Sequence, residues 1–140
     1  MEKKRRLLWH GMMLFLIGLL TGLAEQHFAN PRMALAAHLE GVMNGTFLLA
    51  LGAIWDEVNL KPRAKNAAYW TVLVGTYGNW MVTTLAALLG AAALSPITGV
   101  GHTASPWQEE IVTTGFVVIG LAIIAASCLT LWGLRSGATK

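Results

Sequence analysis

The chain has 140 residues, 55% hydrophobic and only 12% charged, with a mean hydropathy of +0.56. Soluble domains use about 25% charged residues, so this composition excludes water as the main solvent, and the length admits one domain. The formal net charge of +3 would also suit nucleic acid, but the basic residues cluster beside apolar stretches, which is the pattern of a membrane surface.

A helical membrane span needs about 20 mostly apolar residues, and four segments meet that length: 7–24, 33–55, 69–94 and 111–134. The expected fold is therefore an all-α integral membrane protein, a single domain over 1–140 built as a four-transmembrane-helix bundle. The first segment follows Lys3, Lys4, Arg5 and Arg6, as in a signal peptide. Its apolar run is longer than the usual 7–15 residues of such a peptide, and Glu25, Gln26, His27 and Phe28 follow in place of a small-residue cleavage site. It reads as a retained helix. Gly18 and Gly22 form a G-x-x-x-G pair suited to close helix packing, as do Gly41 and Gly45 in the second segment. His10, His27 and His102 read as solvent or interface histidines.

The second segment opens at Asn30 and Pro31, since proline suits a first helical turn. It holds His38, Glu40 and Asn44 within seven positions, and ionisable groups inside a span mark functional sites by default. At about 100° per residue, Gly45, Gly52, Ala34, Gly41, Leu48, Ala37, Asn44 and Glu40 follow His38 around one half of the helix. Leu35, Leu39, Val42, Met43, Thr46, Phe47 and Leu49 fill the other. The first half suits a tight protein interface with room for a bound group; the second suits lipid or packing. For His38 the residues leave two readings open. One is a hydrogen bond to a neighbouring helix; the other is a proton donor or a metal or haem ligand. No histidine or carboxylate lies four residues on, so a helical two-ligand zinc site is not indicated and single axial ligation is the simpler metal hypothesis. Glu40 reads either as a paired structural acid or as a proton carrier. Asn44, near the midplane, reads as interhelical glue or as an orienting group for a polar substrate.

Lys61, Pro62 and Arg63 separate the second and third segments. The third carries Gly75-Thr76-Tyr77-Gly78-Asn79-Trp80, with Thr76, Asn79 and Thr83 sharing one face and Tyr77 turned away by more than a right angle. Ser95, Pro96, Gly99, Gly101 and Pro106 mark a break before the fourth segment, which is nearly all apolar and reads as scaffold. The lone cysteine, Cys128, lies there; one copy of the chain has no cysteine pair for a disulfide or a cysteine-based metal site.

Lys3, Lys4, Arg5, Arg6, Lys61, Arg63, Lys65, Arg135 and Lys140 fall on one side of these spans and only Arg32 on the other. That bias sets both termini in the cytoplasm, in a bacterial-type inner membrane. Trp9, Trp55, Tyr69, Trp70, Trp107 and Trp132 lie near the span ends, as an aromatic belt does. No serine–histidine–aspartate order, phosphate-binding glycine loop or cysteine-pair motif is present.

The run Asn30-Pro31-Arg32-Met33, then His38-Leu39-Glu40-Gly41-Val42-Met43-Asn44-Gly45, then Gly75 to Trp80, resembles the hydroxylaminobenzene mutase family. That family is similar to the styrene-oxide isomerases, four-helix membrane proteins that assemble as trimers and bind haem b at subunit interfaces through one histidine. The resemblance implies that His38 is that histidine, acting as metal ligand and cofactor-binding residue. It further implies a homotrimer and ferric haem b serving as a Lewis acid. Asn44 and Asn79 match the family's asparagines and, with Tyr77, are the residues it implies orient the substrate. The isomerases have an active-site tyrosine where this chain has Thr83, and an aspartate where it has Gly75. Both departures disfavour epoxide isomerisation. They favour rearrangement of a small aryl hydroxylamine such as hydroxylaminobenzene to an aminophenol, a reaction of nitroaromatic degradation. Two other classes are kept as alternatives: a proton-coupled multidrug-type transporter working through Glu40, and a non-catalytic membrane scaffold. The first span has no acid between residues 7 and 24, where such transporters place theirs.

Overall fold

The computed structural model describes residues 2–135; of the basic cluster, only Lys140 lies outside them. The chain forms α1 (Glu2–Ala24), α2 (Pro31–Ala53), α3 (Pro62–Leu89) and α4 (Pro106–Arg135), with single 3-10 turns at Glu25–His27 and Trp55–Glu57. All four helices are long and apolar enough to cross a membrane. No strand occurs among the described residues. The helices run up and down in sequence order. α1 packs along α2, α2 along α3, and α3 along α4, so that α1 and α4 take the outer positions of the row.

The helix bounds differ from the apolar runs for identifiable reasons. α1 begins at Glu2 because the charged run before the apolar residues is itself helical. α3 starts at Pro62 and stops at Leu89, whereas the third apolar run covers 69–94. Proline at the first helical position sets the start. Gly90, at φ 67°, sets the stop as a left-handed C-cap, and its N–H returns to the Ala86 carbonyl. Ala91 to Leu94 continue the hydropathy but not the helix.

The α1–α2 seam is made of glycine. A Cβ on Gly18 would lie 2.6 Å from Val42 N and 2.7 Å from Gly41 C, and one on Gly45 would lie 2.5 Å from Phe15 N. Gly18 faces Gly41, Gly45 faces Gly11 and Phe15, and Gly22 faces the His38 ring, so both G-x-x-x-G pairs are spent inside one chain. Lipid gives helices no hydrophobic reason to associate, so close backbone approach is what holds this pair.

Two apolar clusters flank the midplane. One, around Leu7, Leu14, Leu48, Trp55 and Tyr69, lies toward the basic end of the molecule. There Lys4 Nζ donates to Asp56 Oδ2 at 2.7 Å, and this bond holds the exposed Asp56 carboxyl below the usual carboxylate range. The other cluster, around Met33, Val82, Ala86, Val112 and Ile119, lies toward the opposite end.

That opposite end is closed by residues 90–105, far longer than the roughly 2–8 residues that usually join helices. Asn30, fully buried, ties this loop down. Its Oδ1 accepts the Met33 N–H at 3.2 Å as the N-cap of α2, while its Nδ2 donates to the Thr98 carbonyl at 2.8 Å and its own N–H to the Ala87 carbonyl at 3.0 Å. Arg32 adds a bond to the Val100 carbonyl. The Glu109 carboxylate accepts the N–H groups of Ala92, Ala93 and Ala104 at 2.8 to 3.2 Å. Losing an N-cap costs about 0.5–2 kcal/mol, and Asn30→Ala also orphans the Thr98 carbonyl. We expect that variant to unfold in detergent at a clearly lower temperature than wild type, by about 1–3 kcal/mol of stability.

Candidate functional site

α2 carries the chemistry, and its two flanks do different things. His38 lies on the flank toward α1. Its Nδ1 is 2.8 Å from the Gly18 carbonyl oxygen, so in the neutral ring Nδ1 is the donor. Nε2 then keeps its lone pair, and it has no hydrogen-bond partner among the described residues. Gly22 stands over the ring: a Cβ there would lie 2.6 Å from Nδ1. This is how ligating histidines are commonly held, with the second nitrogen donating to a backbone carbonyl and the first left for the metal. The faces beside it are apolar and exposed, Leu19 and Leu23 on α1 and Leu35 and Leu39 on α2. These residues fit a flat apolar group held by one histidine. No cluster of three or more metal-ligating side chains occurs among the described residues, which is no obstacle to single ligation.

Two residues along, about 200° around the helix, Glu40 lies on the other flank. It lines a cavity of about 400 Å³ with Met33 and Ala36 of α2, Asn79 and Thr83 of α3, Phe116 of α4, and Leu94, Ser95 and Thr98 of the loop. Glu40 Oε2 and Thr83 Oγ1 are both buried and neither meets a partner at full hydrogen-bond geometry, although the Thr83 hydroxyl is the group that faces the Glu40 carboxyl. Most buried polar groups in proteins are satisfied; here the two exceptions among the described residues share one wall. Asn79 presents an amide to the same space and makes no hydrogen bond of its own among the described residues. A larger groove, about 540 Å³, lies along the basic end of α4 against Cys128, Leu131, Trp132 and Arg135, with mostly apolar walls.

The other expected site residues, Asn44 and Tyr77, do not line this cavity. Asn44, one turn below Glu40, donates from Nδ2 to the Thr76 carbonyl at 3.3 Å and so couples α2 to α3. Tyr77 is elsewhere: its hydroxyl lies 3.2 Å from both the carbonyl and the Nδ1 of His10, joining α3 to α1. Trp80 makes a second α3–α1 link, its Nε1 donating to Thr21 Oγ1 at 3.0 Å. The structure thus groups Glu40, Asn79 and Thr83, keeps Asn44 adjacent through Thr76, and sets His38 and Tyr77 apart from them.

Sequence reading missed the cavity's roof and far wall. Phe116 belongs to the helix read as scaffold, and Ser95 and Thr98 belong to a segment read as a break. The length of that segment was the available signal, because connections longer than about 12–15 residues are uncommon in compact domains and are usually either functional or linkers.

Residues 3–135 match the styrene oxide isomerase family. The chain is 44% identical over 137 residues to hydroxylaminobenzene mutase HabB of Ectopseudomonas oleovorans, across 97% of this chain and 84% of that one. Hydroxylaminobenzene mutase HabA of the same organism is 41% identical over 127 residues, across 89% of this chain and 93% of its own. No solved structure matches. A match running nearly end to end, on a fold whose four spans and polar second helix agree with it, places this chain in the styrene oxide isomerase family, as an enzyme of the isomerase type.

Proposed function

We propose that the chain is a membrane mutase that rearranges aryl hydroxylamines, such as hydroxylaminobenzene, to aminophenols, with both termini cytoplasmic in a bacterial-type inner membrane. The substrate class rests on the names of the two mutase relatives. The orientation rests on the basic residues gathered at one end. The observation that carries the mechanism is the His38 Nδ1 bond to the Gly18 carbonyl, which leaves Nε2 as a preset ligand atom.

His38 would hold haem b. The chemistry the haem would supply there is that of a Lewis acid, ferric iron, toward the N–OH oxygen. The chain's own residues do the rest. The cavity beneath residues 90–105 takes a small aromatic ring against Phe116 and Met33 and limits capture of a cationic ring by bulk water. Asn79 orients the N–OH group, and Asn44 fixes the α3 backbone one turn from it through Thr76. Tyr77 acts through the α1–α3 contact it makes with His10. Because His38 and the cavity occupy opposite flanks of α2, one copy does not turn both toward the same small molecule. Assembly as a homotrimer, in which the flank bearing His38 meets the cavity flank of the next copy, joins them.

The test is a visible spectrum of the detergent-purified chain together with conversion of hydroxylaminobenzene. We expect a Soret band in wild type, its loss in His38→Ala, and a fall in turnover of more than about 100-fold, since losing even an outer partner of a metal ligand costs about 10–100-fold. Full turnover by a colourless His38→Ala protein would sink the reading.

A further inference from the structure

The rearrangement has a proton requirement that neither His38 nor the two asparagines meets. An aryl hydroxylamine becomes an aminophenol by moving oxygen from nitrogen to a ring carbon. The N–O bond breaks and a C–O bond forms. That carbon then sheds its proton to restore the aromatic ring, and the nitrogen gains one. Nothing is oxidised or reduced overall, and no co-reactant is consumed. The step needs a base beside the ring that can return the proton to nitrogen, in a space with little free water. Asparagine amides do neither, and His38 lies on the opposite flank of α2.

We propose that Glu40 is this proton carrier, and that Thr83 positions it. The inference rests on the mutase reading above. Glu40 is the carboxylate in the wall of the cavity, and its Oε2 is buried without a partner. An unpartnered carboxylate oxygen in a low-dielectric site is costly unless an incoming group satisfies it. Thr83 Oγ1, 1% exposed and short of full hydrogen-bond geometry with any partner, lines the same wall and faces the Glu40 carboxyl. The other acid packed against this loop, Glu109, is already engaged by the N–H groups of Ala92, Ala93 and Ala104. In the reaction, the Glu40 carboxylate takes the proton from the ring carbon that has received oxygen. The resulting acid gives it to nitrogen, and the product leaves Glu40 as it began. Thr83 donates its hydroxyl to the carboxylate and holds it toward the ring.

The experiment compares wild type, Glu40→Gln, Glu40→Asp and Thr83→Val as full-length protein, with hydroxylaminobenzene and its ring-deuterated form as probes. Positioned acid–base groups contribute about 10²–10⁴-fold. Glu40→Gln should lose that much kcat with KM and the Soret band near wild type. Its ring-deuterium isotope effect should exceed that of wild type, because C–H cleavage becomes limiting. Glu40→Asp should recover part of the rate, and Thr83→Val should fall between. Wild-type kcat in Glu40→Gln overturns the proposal. So does a loss of rate with an unchanged isotope effect and no recovery in Glu40→Asp, since a purely structural carboxylate would behave that way. A wild-type protein that leaves hydroxylaminobenzene unchanged overturns the mutase reading itself, whatever the variants do.

Discussion

Replacing Gly41 with leucine should remove the folded protein. A Cβ at this position lies 2.5 Å from Gly18 Cα, 3.0 Å from Gly18 N and 3.1 Å from Trp80 Cδ1. Two of these neighbours are backbone atoms, which no rotamer change moves. α1 and α2 must therefore separate along the seam, and Gly11 and Gly45 would part with them, since their own Cβ positions meet Leu49 N at 2.7 Å and Phe15 N at 2.5 Å. Overpacking a soluble core costs about 1–3 kcal/mol, occasionally more. Here the cost runs higher, because in lipid van der Waals contact is the main attraction between apolar helix faces and nothing hydrophobic replaces it. Separation also pulls the Gly18 carbonyl from His38 and Thr21 from Trp80. Gly120→Ala is the matched control, since a Cβ there meets nothing within 4 Å. We expect Gly41→Leu to give little or no folded protein after detergent extraction and Gly120→Ala to match wild type in yield and melting temperature. Equal yields for the two would show that the seam tolerates separation.

What could be read from the sequence follows from what a membrane makes visible. The period of α2 separated a small, polar half from a bulky one, and the structure buries Ala34, Ala37, Gly41, Gly45 and Gly52 while leaving Leu35, Leu39, Met43 and Phe47 exposed. Small residues mark helix contacts in lipid because they alone let backbones touch. Their partners were not legible. Gly18 and Gly22 read as a close helix contact with no partner specified, and only the antiparallel register of α1 on α2 commits them to Gly41 and His38. Hydropathy failed in a different way at the third span. It counts Ala91 to Leu94 as membrane, while the left-handed Gly90 has already ended the helix and turned the chain toward the cavity. The candidate site was half visible for the same reason. Polar residues in an apolar run stand out, so Glu40, Asn44 and Asn79 were found at once. Thr83 was placed on the face of Thr76 and Asn79 and read as a departure from a family pattern, with no role of its own. Phe116 is one apolar residue in an apolar helix, and its place in the wall is decided by tertiary packing alone.

Under the proposed ligation of haem by His38, Gly22→Val should behave as a cofactor-loss variant that still folds, and this separates the orientation of His38 from the integrity of the seam. The three atoms nearest a Cβ at Gly22 all belong to the His38 ring: Nδ1 at 2.6 Å, and Cε1 and Cγ at 3.0 Å each. At Gly41 the nearest atoms are backbone, so α1 must move; at Gly22 the imidazole yields first. A ring pushed aside loses its Nδ1 bond to the Gly18 carbonyl. Without that bond the neutral tautomer is no longer fixed, and Nε2 carries the proton for part of the time, when it offers no lone pair. Outer-shell partners of this kind are worth about 10–100-fold in metal affinity or activity. We therefore expect near-normal yield, a Soret band weakened at equal haem supply, and mutase turnover reduced in proportion to the haem retained. Gly22→Ala should give the same changes in smaller degree. A Gly22→Val protein with a full Soret band would show that Nδ1 need not be bound to Gly18 for His38 to hold the iron. A Gly22→Val protein with full haem but lost turnover would move the importance of Gly22 from the ligand to the substrate. In either case the Nδ1 bond to the Gly18 carbonyl would not be what presets Nε2 as the ligand atom.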